Sequence, residues 1–257
     1  MIQLNDLYCI DNLEGMSLIE DKSIDLIITS PPYNIGVKYN VYQDNMSIWN
    51  YLEQINLVFI DCHRILKDNG SIYLNLGYIS KYPLFPFSII QEIVGSPRFQ
   101  LQNVINWVKS ISINDEPLVG HYKPVNSERY HHISHEFIFH ITKTGNVKID
   151  KEASGVPYAD KSNISRWNKE NDVHDRGNVW FIPYETKQRK GYHPSTYPER
   201  LVELCILDSG IKEGLVFDPY VGIGTTAVVA KKMGLQYLGF DIDPFYIEKG
   251  REALHNL

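Results

Sequence analysis

The segment that ends at Asp241 has the pattern of a strand, a glycine-rich turn, a helix and a second strand. An apolar run from Leu215 ends in Asp218, Gly222 and Gly224 follow in the turn, and helix formers lead to the second apolar run. Units of this kind build parallel sheets covered by helices. Because only one such unit remains after Leu215, the other strands must come from upstream residues. We therefore predict an α/β fold with a permuted, doubly wound, mostly parallel sheet.

Upstream apolar runs are the source of those strands. We predict strands near residues 6–10, 24–29, 71–76, 101–108, 136–142 and 179–183. Apolar residues at helical spacing predict helices over residues 47–67 and 197–207. Between Ser110 and Gly191 the alternation gives way to polar residues, glycine and scattered aromatic residues, which predicts an insertion in the sheet domain.

The glycine-rich turn predicts a site for a cofactor that contains adenosine. Gly222 and Gly224 let the backbone approach a bound nucleoside, and Asp241 is placed to accept hydrogen bonds from ribose hydroxyls. With Ala227 in the position of a third glycine, the spacing also fits a nicotinamide or flavin dinucleotide. Asp218 opposes that alternative, because a carboxylate repels a pyrophosphate but suits the ammonium group of S-adenosylmethionine.

A proline-rich turn follows the strand predicted over residues 24–29. It is Ser30-Pro31-Pro32-Tyr33, and its prolines predict a stiff, irregular loop. The loop offers a hydroxyl, a carbonyl outside any sheet ladder and an aromatic face, which together suit an exocyclic amino group on a planar heterocycle. The alternative is a surface turn without a ligand.

These two motifs together resemble those of the DNA amino-methyltransferases, which methylate an exocyclic nitrogen of cytosine or adenine. In the beta subgroup, a catalytic S/D-P-P-Y motif comes first, target recognition follows, and a cofactor motif F-x-G-x-G comes last, which is the order here. His193-Pro194 resembles the segment that leads into the cofactor motif, and residues 135–143 resemble a late strand of the family. The resemblance covers nearly the whole chain.

The resemblance implies a role for each motif residue. It implies that Ser30, Pro31, Pro32 and Tyr33 are catalytic and that S-adenosylmethionine is the cofactor. The cofactor-binding residues that it implies are Asp218, Pro219, Tyr220, Gly222, Gly224, Thr225, Thr226, Asp241 and His193. Tyr220 stands where the family usually has phenylalanine, so the aromatic ring is kept.

The resemblance also implies a division of the chain into three parts. Residues 1–109 form the catalytic part of the methyltransferase domain, and residues 192–257 form its cofactor-binding part. Residues 110–191 form the insertion that recognises the target sequence.

The net charge of −6 opposes binding to nucleic acid, since affinity for DNA comes mainly from neutralisation of phosphates. A local basic face can still bind DNA. Beside the methyltransferase motifs, we predict DNA contacts from basic residues interleaved with aromatic ones: Lys187, Arg189, Lys190, Lys161, Arg166 and Lys169. The alternative is a solvated basic surface.

Other chemistries lack their sequence signals. The cysteines Cys9, Cys62 and Cys205 are far apart, which predicts buried thiols, and none follows a proline as the nucleophile of C5-cytosine methyltransferases does. The histidines between residues 121 and 140 lack the spacing of zinc ligands, so we expect no metal. No apolar run approaches the length of about 18 residues that spans a membrane, and a signal-like amino terminus is missing, so we expect a cytosolic enzyme.

The target base follows from the first position of the catalytic motif. Within the resembled family, serine there is associated mostly with cytosine and aspartate mostly with adenine, so Ser30 favours N4-methylcytosine, with N6-methyladenine as the alternative. The expected partner is double-stranded DNA with the target base flipped out. A restriction endonuclease for the same site and a second copy of the chain are further candidate partners. Alternatives of other classes are a nicotinamide-dependent oxidoreductase and a catalytically silent nucleic-acid-binding module.

Overall fold

The computed structural model describes residues 2–95, 98–110, 112–113, 116–117, 125–167, 169–183 and 196–257. In chain order, its elements are β1 (Asp6–Cys9), α1 (Asn12–Ser17), β2 (Ile24–Thr29), α2 (Ile48–Ile65), β3 (Leu66–Leu76), α3 (Phe85–Val94), β4 (Gln100–Val108), β5 (Ser112–Ile113), β6 (Glu116–Pro117), β7 (His135–Thr142), α4 (Ser162–Arg166), β8 (Val179–Phe181), α5 (Glu199–Ser209), β9 (Leu215–Asp218), α6 (Thr225–Lys232), β10 (Gln236–Asp241) and α7 (Pro244–His255).

The described residues form one large mixed sheet with the strand order β1-β10-β9-β2-β3-β7-β4-β8. β7 runs antiparallel to β3 and β4, and the other neighbours pair in parallel. The late strands β9 and β10 therefore lie between β1 and β2. This order confirms the predicted permuted, mostly parallel sheet. β5 and β6 pair with each other in a separate ladder.

Apolar side chains cover both faces of the sheet. Leu26 and Ile28 of β2 belong to the core cluster that includes residues of α5, α6 and α7. Ile27 belongs to the second cluster, with residues of α1, α2 and α3. Successive side chains of a strand point to opposite faces, so a strand covered on both sides is apolar along its length. Within the described ranges, none of the helices combines the length and the apolar character that a membrane crossing requires.

Part of the predicted insertion belongs to the main sheet. β7 lies between β3 and β4, and β8 pairs with the outer edge of β4. Residues 150–177 lie between these two strands in the sequence, and Asp150 and Ser154 of this stretch bond to Asp208 of α5. β7 and β8 of the predicted insertion therefore extend the main sheet. The role of residues 110–191 in target recognition, and with it the division into three parts, stays a prediction.

The carboxyl ends of the parallel strands lie along one edge of the sheet, perpendicular to the strands. β7 begins at this edge because it runs in the opposite direction. β2 pairs with β9 through Ile27 and Phe217, which brings the ends of both strands together. Thr29 Oγ1 donates to Asp218 Oδ1 over 2.7 Å, although the two residues are 189 positions apart. Ligands of open α/β sheets bind at this edge. Both sequence motifs therefore meet where a site is expected.

Candidate active site

A cavity of about 1040 Å³ opens at this edge of the sheet. Ligand sites typically measure about 300–1,000 Å³, so the volume of this cavity lies at the upper end of that range. The predicted residues that line it are Ser30, Pro31, Pro32, Tyr33, Pro219, Tyr220, Gly222, Thr225 and Asp241. Asp218, Gly224 and Thr226 are buried residues outside that lining, and His193 lies outside the described residues.

The predicted catalytic turn, Ser30-Pro31-Pro32-Tyr33 (hereafter the catalytic turn), is supported by α2. Tyr51 is buried on α2, and its hydroxyl donates to the Pro32 carbonyl over 2.7 Å. Ser30 Oγ and the Tyr33 hydroxyl lie 2.9 Å apart, within hydrogen-bonding distance. The described residues donate no hydrogen bond to the Pro31 carbonyl. A hydroxyl and an open carbonyl therefore lie side by side in the cavity wall.

A polar cluster continues from Tyr33 towards β7. The Tyr33 hydroxyl donates to Glu136 Oε2 over 3.1 Å, Asn75 Nδ2 donates to the same oxygen over 2.8 Å, and Lys109 Nζ pairs with Glu136 Oε1. Burial, together with the Glu136 charge, raises the pKa of Tyr33 well above its ordinary value, so the hydroxyl stays protonated and donates. Gly77 makes room for the ring, since a Cβ there would lie 2.7 Å from Tyr33 Cε2.

Two carboxylates lie at the other end of the cavity. Asp241 Oδ1 accepts from the Asp243 backbone N–H over 2.8 Å, and Oδ2 accepts from the Gly222 N–H over 3.0 Å. Gly222 has a φ of 51°, a conformation that glycine adopts without strain. Burial raises the pKa of Asp241 to about 6. Asp243 Oδ1 caps α7 through the Phe245 N–H, and its buried Oδ2 has no hydrogen-bond partner among the described residues.

Asp218 lies behind the cavity wall and is 1% exposed. Its carboxylate accepts from Thr29 Oγ1 and Thr226 Oγ1 over 2.7 Å each, and from the Tyr197 hydroxyl and the Tyr220 N–H over 3.0 Å each. Burial raises its pKa, and these donors oppose the rise. Asp218 thus ties the end of β2 to the start of α6. Its predicted contact with the cofactor's ammonium group stays a prediction.

The loop of residues 34–46 covers one side of the cavity. A buried carboxylate, that of Asp44, holds the two ends of this loop together. Asp44 accepts from the backbone N–H groups of Asn34, Ile35 and Val37 over 2.7, 3.1 and 2.9 Å. The Asn34 side chain bonds to both backbone groups of Met46. The apolar and aromatic residues of this loop that line the cavity are Ile35, Val37, Tyr39, Val41 and Tyr42.

Comparison with known proteins identifies this arrangement. The sequence model of a DNA methylase family, that of the N6- and N4-methyltransferases, matches residues 24–252. The chain belongs to this family. Membership confirms the predicted beta-class resemblance and the predicted cofactor, S-adenosylmethionine, over the nicotinamide alternative.

Relatives and solved structures agree with this assignment. The methyltransferase is 30% identical to the type II methyltransferase M.HpaI of Haemophilus parainfluenzae over 96% of this chain and 73% of that protein. It is 28% identical to the DNA adenine methyltransferase YhdJ of Escherichia coli K12 over 95% of this chain and 80% of YhdJ.

Two solved structures share the fold. The cytosine-N4-specific PvuII DNA methyltransferase superposes with a TM-score of 0.71 and 18% identity, over 96% of this chain and 85% of that one. A complex of M1.HpyAVI with S-adenosylmethionine superposes with a TM-score of 0.60 and 19% identity, over 96% and 98% of the two chains.

The end of the cavity that contains Asp241 and Asp243 has groups that suit S-adenosylmethionine. The buried Asp243 Oδ2 lacks a donor in the described structure, and the Asp241 carboxylate lines the cavity beside it. Buried acceptors of this kind are normally paired. The ribose hydroxyls of the cofactor are donors of the required type, so the residues present suit the group.

The predicted DNA contacts divide into two sets. Lys187, Arg189 and Lys190 lie outside the described residues. Lys161, Arg166 and Lys169 lie away from the cavity, and each contacts a neighbouring acceptor: Lys161 pairs with Asp172, Arg166 donates to Asn163 over 3.2 Å, and Lys169 lies 3.7 Å from Glu152. Their role in DNA binding stays a prediction.

Polar residues from three strand ends complete the wall of the methyltransferase cavity and were not predicted. They are Asn75 near the end of β3, Lys109 after β4 and Glu136 near the start of β7. The exposed Lys81 and Arg129 also line the cavity. The available signal was a polar residue at the end of an apolar run, which is weak because many strands end this way.

Proposed function

We propose that the methyltransferase transfers a methyl group from S-adenosylmethionine to N4 of cytosine in a short duplex site. The observation that carries the choice of base is Ser30 at the first position of the catalytic turn, with its hydroxyl in the cavity. Serine at this position is associated mostly with cytosine in the resembled family. The shared fold with the cytosine-N4-specific PvuII enzyme supports the proposal.

The catalytic turn supplies what an exocyclic amino group needs to react. Such a nitrogen is a poor nucleophile, because its lone pair is delocalised into the ring. Ser30 Oγ and the Pro31 carbonyl accept hydrogen bonds from the amino protons and draw the nitrogen towards sp³ geometry. Tyr33 stacks on the base and keeps it in place. S-adenosylmethionine supplies an electrophilic methyl group when it is bound.

The remaining cavity residues hold the two substrates in reach of each other. Asp241 accepts hydrogen bonds from the cofactor's ribose hydroxyls, and Asp218 contributes to the pocket of its ammonium group. The target base leaves the duplex to enter the cavity, at a cost of a few kcal/mol that stacking and hydrogen bonds offset. The loop of residues 34–46 acts as the lid over the base. Residues 110–191 supply sequence recognition.

A second candidate is transfer to N6 of adenine. The similarity to YhdJ, which is named as a DNA adenine methyltransferase, favours it. Adenine presents the same kind of amino group to Ser30 and Pro31, so the catalytic turn acts in the same way on either base.

Sequencing of DNA from a host that expresses the chain, with detection of modified bases, tests the choice. We expect N4-methylcytosine at one short site and no such mark in a host that expresses Ser30→Ala. N6-methyladenine at a single site would replace the first proposal with the second. The absence of both marks, with folded protein present, would contradict the proposed function. The site found in this way shows which restriction endonuclease could accompany the enzyme.

A further inference from the structure

We propose that Asn75 contacts the target base and accepts a hydrogen bond from its exocyclic amino group through Oδ1. The inference rests on the proposed transfer to an amino group, and it holds for cytosine and adenine alike. Asn75 is outside the catalytic turn. It is the second-last residue of the strand β3, and it lines the cavity together with Ser30.

The orientation of the Asn75 amide is fixed by its neighbours. Nδ2 donates to Glu136 Oε2 and to the Tyr33 hydroxyl, over 2.8 Å each. An ionised carboxylate accepts hydrogen bonds and donates none, so the amide nitrogen must face Glu136. Lys109 neutralises the charge of Glu136 from its other side. With Nδ2 committed in this way, Oδ1 is turned away from the carboxylate.

That oxygen is the unexplained feature of the cluster. Asn75 is 4% exposed, and its Oδ1 has no hydrogen-bond partner in the described part of the chain. Buried acceptors are nearly always paired in native proteins, and an unpaired one calls for a ligand or a water. The residue lines the cavity at the end that holds the catalytic turn, so a donor from the base is the ligand that matches.

The amino group has the donors that this arrangement requires. It carries two N–H groups, of which Ser30 Oγ accepts one. Asn75 Oδ1 accepts the other, shared with the Pro31 carbonyl in a three-centre bond. In this arrangement Glu136 is a positioning residue, because it acts on the base through the amide that it orients.

A binding experiment with the amino group removed tests the contact. Duplexes carry either the natural base at the methylated position or its analogue without the amino group, which is 2-pyrimidinone for cytosine and purine for adenine. Dissociation constants are measured with S-adenosylhomocysteine present, so that no transfer occurs. The analogue also weakens the base pair and eases extrusion, so the ratio of the two constants is compared between the parent and each variant.

We expect Asn75→Leu to shift this ratio by about threefold to tenfold, in the direction of a lost preference for the amino group. Glu136→Gln should shift it in the same direction, because a glutamine amide can accept from or donate to Asn75 and no longer fixes its orientation. Asn103→Leu is the matched control, since Asn103 bonds to His140 inside the sheet and lies outside the cavity lining. It should lower the melting temperature and leave the ratio unchanged.

A ratio that Asn75→Leu leaves at the parent value would overturn the proposal and leave Asn75 a structural residue. Calorimetry with S-adenosylmethionine confirms that each variant is folded. If the leucine disrupts the cavity, Asn75→Ala removes the amide without added bulk and gives the same readout. A parent chain that methylates no amino group in the sequencing experiment would instead contradict the proposed function, and with it the basis of this contact.

Discussion

Ser30 places a single hydroxyl at the point where the catalytic turn meets the cavity. We expect Ser30→Ala to lower turnover by about 10² or more, because a hydrogen bond that strengthens in the transition state is lost. Affinity for S-adenosylmethionine should not change. Single-turnover kinetics and calorimetry measure the two effects. Ser23→Ala is the control, since Ser23 bonds to the Glu20 carbonyl away from the cavity, and equal turnover for both variants would reject the role of Ser30.

Asp241 predicts a pH dependence of cofactor binding. Burial raises its pKa to about 6, and the ionised form is a strong acceptor at both oxygens, whereas protonation makes one oxygen a donor and weakens it as an acceptor. Affinity for S-adenosylmethionine should therefore fall as the pH falls through about 6, by about tenfold between pH 7.5 and pH 5. Calorimetry at several pH values measures the trend, and Asp241→Asn should bind weakly with a flatter profile. A parent profile that is already flat would mean that the ribose contact lies elsewhere.

The same shift acts in the opposite direction on the fold without cofactor. A carboxyl whose pKa is raised binds its proton more tightly in the folded state than in the unfolded state. The contribution of Asp241 to the free energy of unfolding therefore increases as the pH falls from about 6 towards its ordinary value of 3.8. Cofactor binding and unliganded stability thus have opposite pH dependences at this residue.

At the scale of elements, α2 supports the catalytic turn through one hydroxyl. Tyr51 donates to the Pro32 carbonyl over 2.7 Å, and burial raises its pKa, so it remains a donor at all working pH values. We expect Tyr51→Phe to lower the free energy of unfolding by about 1 kcal/mol and to lower turnover several-fold, with unchanged cofactor affinity. Tyr8→Phe, which loses only the two hydrogen bonds of the Tyr8 hydroxyl with the exposed Gln3 backbone, should change neither activity nor cofactor binding. Thermal melts and steady-state rates measure these effects. Unchanged stability and turnover in Tyr51→Phe would mean that α2 does not support the catalytic turn through this hydroxyl.

The elements with a strong periodic signal were predicted well. The helix predicted over residues 47–67 spans Ile48–Ile65, and the strand predicted over 24–29 spans Ile24–Thr29. β3 begins at Leu66, five residues before its predicted start. Leu66 pairs with Ile24, but residues 67–70 are polar or glycine and have no partner in β2 before Ser71 pairs with Leu26. Apolar periodicity cannot detect such a polar beginning.

The candidate site was predictable only where its residues share a motif. The catalytic and cofactor turns are contiguous in sequence, so their residues could be named before the fold was known. Asn75 and Glu136 lie in β3 and β7, and Lys109 directly follows β4; these elements become neighbours only because β7 lies antiparallel between β3 and β4. Strand order is set by tertiary packing, which no local pattern reports. In the same way, the sequence shows the charge of Lys161 but not its ion pair with Asp172, which depends on the fold.

At the scale of the whole molecule, a chain of net charge −6 must bind DNA through a local basic face. Lys81 and Arg129 are exposed at the cavity and form no ion pair with a described residue. We expect Lys81→Ala and Arg129→Ala each to weaken binding to all DNA sequences and to lower the salt slope by about one unit. Lys161→Ala, which removes a charge already paired with Asp172, should change the slope less. Binding measured over a salt series decides, and the reverse ranking would favour the basic residues in and around α4, which are Lys161, Arg166 and Lys169.

The strand order also sets when the methyltransferase can become complete during synthesis. β1 and β2 are synthesised early, and β2 can pair with β3, but β1 has no partner in the sheet and β2 lacks its second partner until β9 and β10 insert between them. The first two strands therefore wait with open edges until residues 215–241 have emerged. Ion pairing of Asp6 with Arg251 then joins the first strand to the last helix. A ribosome that stops before residue 215 releases a chain that has unpaired strand edges and lacks the glycine-rich turn, and such a chain is a substrate for chaperones and proteases.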